Sequence, residues 1–162
     1  MNIIRHKHTY LVFPLILLAL MASEVLAISY YVSPNGSDSN DGSKAAPFAT
    51  IQKAADIVNP GDVVIVKDGV YTAPNGNPAI VSINRAGNEK NWIVFKAENK
   101  WGAVLHGDKT STLYGFLFLQ NAKYVRVEHF EIKSTSRDMS EGWNMAGIWS
   151  NSGADFITIA GN

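Results

Sequence analysis

The sequence predicts an all-β protein: a parallel β-helix, in which short strands wind into a solenoid, closed at its amino end by one amphipathic helix. Three observations lead there. Trp92-Ile93-Val94-Phe95, Tyr124-Val125-Arg126-Val127 and Phe156-Ile157-Thr158-Ile159 share one template, and successive copies start 32 residues apart. Gly115-Phe116 and Gly147-Ile148 keep the same interval. A single helix-period segment stands ahead of these strands, and none lies between them. A fixed beat of strands without crossover helices excludes a doubly wound sheet, and a sandwich has no reason to keep it.

The first 27 residues read as a secretory signal peptide. Arg5 and Lys7 give a basic start, Leu11 to Met21 is apolar apart from Pro14, and Val25-Leu26-Ala27 supplies small residues at cleavage spacing. The apolar run is too short to span a bilayer comfortably. Cleavage after Ala27 would leave residues 28–162 as the amino-terminal part of one β-helix domain, secreted to the periplasm or beyond and free of the membrane. Losing Arg5, Lys7 and Glu24 leaves 12 basic and 13 acidic residues. That balance argues against nucleic acid as partner, since binding phosphates needs clustered Lys and Arg. There is no cysteine, so neither a disulfide nor a lipidated thiol is available.

Each element has a local reason. Ser29 to Val32 is a first strand, favoured by Tyr30, Tyr31 and Val32. Pro34 to Ser43 is a loop of turn formers. Thr50 caps a helix in which Ile51, Ala54, Ala55 and Val58 make one apolar stripe, and Asn59-Pro60-Gly61 ends it. That stripe suits a lid over the open end of a stack of strands. Val63 to Val66 is continuously apolar, as for a strand covered on nearly both sides. Further strands are expected at Val70-Tyr71, Ala79 to Ile83, Trp92 to Lys96, Ala103 to His106, Phe116 to Leu119, Tyr124 to Ile132 with a bend at His129, Gly147 to Trp149 and Phe156 to Ile159. Ile93, Val125 and Ile157 should stack inside, as should Phe95, Val127 and Ile159, while Val94, Arg126 and Thr158 point outward. Trp92 and Trp149 read as core. The last coil meets no closing segment, so the solenoid reads as truncated at its carboxyl end.

The stretch from Tyr30 to Tyr71 carries a resemblance. Tyr31-Val32-Ser33-Pro34-Asn35-Gly36-Ser37-Asp38, Asn40-Asp41-Gly42-Ser43, Pro47-Phe48-Ala49-Thr50-Ile51-Gln52-Lys53-Ala54, Pro60-Gly61-Asp62-Val63-Val64-Ile65-Val66 and Gly69-Val70-Tyr71 closely resemble the start of secreted right-handed parallel β-helix proteins of the pectate-lyase-like superfamily. The resemblance implies a right-handed β-helix and, for the whole protein, a calcium-dependent lyase that cleaves an acidic, uronate polysaccharide by β-elimination. It implies a monomer at full length. Calcium ligands and a catalytic Lys or Arg usually lie on later coils, so no catalytic residue carries over and little turnover is expected of these residues alone. A non-catalytic carbohydrate-binding β-helix and a glycoside hydrolase are the alternatives on this scaffold.

Candidate binding residues follow from the outward positions. Arg126 and Glu128 continue with Glu131 and Lys133 as one charged stripe, either the floor of a saccharide groove or a solvated strand face with Lys96 and Glu128 paired across strands. Arg137 and Trp143 lie in the long connection before Ile148, where an arginine suits a uronate carboxylate and an indole suits a sugar ring. Asp38 and Asp41, with Asn40, make an oxygen-rich loop open to calcium or to plain turn chemistry. Its glycine, Gly42, comes one position early for the helix-loop-helix calcium pattern, and Ala49 stands where that pattern needs Glu.

Overall fold

A computed structural model describes residues 26–73, 77–107, 114–134 and 146–162. Eleven strands and one helix follow in order: β1 (Ser29–Val32), α1 (Ile51–Ile57), β2 (Val63–Val66), β3 (Gly69–Tyr71), β4 (Ala79–Ile83), β5 (Ile93–Ala97), β6 (Ala103–Gly107), β7 (Tyr114–Phe118), β8 (Lys123–Glu128), β9 (Glu131–Ser134), β10 (Ala146–Ser150) and β11 (Asp155–Ala160). Every pairing is parallel and falls between coils. The sheets run β1-β2-β5-β8-β11, β3-β6-β9 and β4-β7-β10, so each full coil lays one strand in each. The expected all-β parallel solenoid is what forms, about three turns long.

The register aligns like with like. Ile93 pairs with Val125, and Val125 with Ile157; Phe95 pairs with Val127, and Val127 with Ile159. Ile93, Phe95, Val125 and Val127 are fully buried. The second sheet adds Tyr71, Leu105 and Ile132 as a column, and the third adds Val81, Phe116 and Ile148. Phe116 stands at the centre, 5.2 Å from Phe130 and 6.2 Å from Phe95 in edge-on contacts. Val63 and Ile65 are half-buried while Val64 and Val66 are buried, so β2 alternates although its sequence does not.

The helix is a lid, as its apolar stripe implies. Ile51, Ala54, Ala55 and Val58 are buried against the first coil. The Thr50 hydroxyl accepts the Lys53 amide at 3.1 Å. Gln52 then holds the helix to β4, taking the Ser82 amide at 2.7 Å and donating to the Ser82 carbonyl at 3.0 Å. The preceding loop folds so closely on itself that a Cβ on Gly36 would lie 2.3 Å from the Phe48 carbonyl oxygen.

The expected bend at His129 proves to be a corner between sheets. Tyr124 to Ile132 is two strands in two different sheets, β8 and β9, because His129 takes φ 68° and turns the chain out of one sheet into the next. Trp101 (φ 64°) and Gly161 (φ 67°) adopt the same left-handed backbone, and Trp101 N–H donates to the His129 carbonyl at 2.7 Å. The corner is therefore repeated between coils. A β-branched side chain is costly there and asparagine is tolerated. His129→Val is expected to lower stability by about 1–2 kcal/mol in urea unfolding, and His129→Asn to change it by about 0.5 kcal/mol or less.

Candidate functional site

The first sheet presents a mixed face of aromatics and charges. Trp92, Tyr124 and Phe156 begin successive coils on its outer side. Tyr124 and Phe156 lie 4.4 Å apart and 4° from parallel, and Trp92 meets Tyr124 edge-on at 5.5 Å. Tyr124 and Phe156 both take φ 52°, which sets each ring over its neighbour. Trp92 is thus half-buried in this outer ladder rather than in the core. The Arg126 guanidinium lies 5.6 Å from the Trp92 ring centre and 3.5 Å from a Glu128 oxygen. Its side chain keeps 45% exposure, leaving donors free for an acidic ligand.

The charged stripe divides at His129. Arg126 and Glu128 stay on the first sheet, whereas Glu131 and Lys133 pair with each other at 2.9 Å on the second. Glu128 is in register with Lys96, yet its ion pair is with Arg126 two positions back on its own strand. Arg137 and Trp143 lie outside the described residues, in the connection between β9 and β10.

A shallow cleft that sequence reasoning missed lies where the third sheet hands the chain back to the first. Asn84, Leu119, Gln120, Asn151 and Ser152 line about 350 Å³, within the usual size of ligand pockets. No charged side chain lines it. The side chains of Asn84, Gln120 and Ser152 make no hydrogen bond among the described residues. Trp149 is 40% exposed, not core, and its indole N–H donates to Asn151 Oδ1 at 3.1 Å. That bond orients the Asn151 amide and leaves its N–H groups free. Tyr114 lies beside Trp149, with ring centres 6.0 Å apart. The recurrence of amide and hydroxyl residues after each third-sheet strand, Gln120-Asn121 and then Asn151-Ser152, was the available signal.

The two loop aspartates have other partners. Asp38 Oδ1 accepts the Ala49 and Thr50 amides, each at 2.9 Å, and its Oδ2 accepts the Thr50 hydroxyl at 2.8 Å. Asp41 accepts the Ser43 amide at 2.8 Å. The Ser43 amide, and then its hydroxyl, hold the Asp41 carboxyl below its ordinary value. Among the described residues no group of three or more His, Cys, Asp or Glu is placed to hold a metal ion. Asp38 and Asp41 thus close the loop through its own amides and hydroxyl. Elsewhere, burial and then the Asp68 and Glu98 charges push the Tyr71 hydroxyl well above its ordinary value, consistent with its donating to the Lys67 carbonyl at 2.7 Å.

Residues 30–160 match the family described as the Pel9A-like, right-handed beta helix region. The chain belongs to this family. It is 36% identical over 77 residues to pectate lyase L of Dickeya chrysanthemi, covering 46% of this chain and 18% of that protein. It is 25% identical over 175 residues to pectate lyase PEL9 of Emericella nidulans, covering 89% of this chain and 42% of that one. A solved rhamnogalacturonan lyase superimposes with a TM-score of 0.55 at 25% identity, over 65% of this chain and 28% of its own. The chain thus spans less than half the length of each of these relatives. Among the described residues no helix is long and apolar enough to cross a membrane.

If Asp38 is a latch and not a ligand, its removal should matter without metal. Asp38→Ala is expected to cost about 2 kcal/mol by leaving two amides unpaired at the helix entry. In thermal unfolding the loss should be equal with calcium and with chelator; a loss seen only with calcium would restore the metal reading.

Proposed function

We propose that the protein carrying this chain is a secreted polysaccharide lyase, and that residues 28–162 contribute part of its saccharide-binding surface. One observation carries the reading: the relatives quoted above, at 25 to 36% identity, are all named as lyases of pectin-type polymers. The surface chemistry agrees with it. Arg126, half-exposed and backed by the Trp92 ring, suits a uronate carboxylate. The neutral, amide-lined cleft suits hydroxyl groups, which need donors and acceptors at close spacing.

In β-elimination a base takes the proton next to the uronate carboxylate, a double bond forms, and the glycosidic oxygen leaves from the adjacent carbon. The proton becomes acidic enough only when the carboxylate charge is neutralised. No described residue is assigned as the base. Arg126 is assigned to binding and to partial charge neutralisation. Calcium remains part of the proposal for the whole protein, with no step assigned to it on these residues.

Incubated with polygalacturonate and calcium, the protein is expected to raise the ultraviolet absorbance of unsaturated uronate. New reducing ends without that absorbance would replace the lyase reading with hydrolysis. A second reading, a binding β-helix without chemistry, is favoured by the lack of a poised base among the described residues. Residues 28–162 alone are expected to retain polygalacturonate in affinity electrophoresis without turning it over. Arg126→Ala should weaken that retention by roughly 1 kcal/mol at low salt and by less at high salt, as for an exposed charge pair.

A further inference from the structure

Asp62 is 1% exposed, yet it belongs to neither ion pair of the described residues. Its Oδ1 accepts the Ile28 amide at 2.8 Å and its Oδ2 accepts the Asn59 amide at 2.8 Å. The titratable side chain coupled to it is Tyr30 of β1, whose hydroxyl is pushed up by burial first and by the Asp62 charge second. The helix end contributes Asn59, which carries no charge. Two amide hydrogen bonds are a modest return for a buried carboxylate, which ordinarily needs a cation as well.

Among the described residues, the backbone of Ile28 is the first to be fixed. Its N–H donates to Asp62 and its carbonyl accepts the Val63 amide at 2.9 Å, whereas Leu26 and Ala27 make no hydrogen bond among the described residues. Leu26 is 81% exposed. Ala27, with Val25 two residues earlier, is also where the leader pattern places cleavage.

We propose that the Ala27–Ile28 peptide bond is the processing site, and that the freed Ile28 ammonium becomes the missing counter-charge of buried Asp62. A signal peptidase adds water across the bond. The carboxyl group stays on Ala27, and the new amine on Ile28 takes a proton from solvent. The nitrogen already sits at hydrogen-bond distance from Asp62, so cleavage converts a neutral contact into a charge-assisted one without moving the chain. Ile28 keeps 48% exposure, so the remaining ammonium protons reach water. Removal of the leader thus adds a clamp between β1 and the start of β2, at the first rung of the solenoid.

The test has two arms. Expressed in a secreting host, the whole chain should yield a mature protein whose intact mass and terminal sequence begin at Ile28; a different first residue overturns the inference. A chain beginning at Ile28 should then show a folding equilibrium constant roughly five- to tenfold larger than one beginning at Ala27, measured by urea unfolding at about pH 6. Pairing raises the ammonium's folded pKa, so the advantage is fully present below the ordinary α-amino value of about 7.7–8.0 and is lost as pH rises through the folded value. Acetylating the Ile28 amine should abolish it, as should Asp62→Asn, which keeps the side chain's shape. Equal stability of the two chains across that pH range would sink the proposal even if the variant fails to fold. Neither arm reads saccharide binding, so its outcome is independent of the proposed activity.

Discussion

The structure depends on backbone hydrogen bonding between coils in parallel register. Each rung fixes the height of the next, and once heights are fixed, residues at equal positions must occupy one column. The column is therefore a packing constraint: a residue inside must fit above and below copies of its own kind. Ile93, Val125 and Ile157 meet it with aliphatic side chains, and Phe95 over Val127 meets it with a ring on a smaller neighbour. Three sheets then share one narrow interior, which Phe116, Phe118 and Phe130 fill from two sides.

A solenoid has an open end that invites further strands, and here the amino end is managed by side chains acting on backbone. Asp38 holds the helix entry, Gln52 fastens the helix to β4, and Asp62 ties the start of β1 to the residues following the helix. Each is a polar side chain facing amides that lack a partner within a coil. Oxygen-rich loop residues here serve first to satisfy backbone amides.

The outside of the coils is where function would reside, and it divides by sheet. The first sheet offers an aromatic ladder with Arg126 and Glu128, and the corner leading into it offers uncharged amides beside Trp149. A polymer lying along the solenoid would meet aromatic and amide groups repeated from rung to rung, with the Arg126–Glu128 pair on one rung only. Repetition of this kind suits a chain of repeating sugars, whose own period is matched by a surface and not by one pocket.

The order of the elements was legible in the sequence because both signals behind it are local. Apolar alternation marked the strands, the 32-residue interval marked the coils, and the stripe from Ile51 to Val58 marked the lid. Which sheet a residue joins was not legible. The broken alternation at His129 marked a bend, but not that its left-handed backbone carries the chain into another sheet, so one apolar run became two strands and one charged stripe became two. The side on which Trp92 and Trp149 lie was likewise not legible, nor were the distant amides that Asp38 and Asp62 receive. Sequence by itself determined the period and the apolar columns, since these need only spacing along the chain. Tertiary structure alone decided the faces and the long-range partners, since these depend on backbone geometry at corners and on amides such as that of Ile28, 34 residues from Asp62.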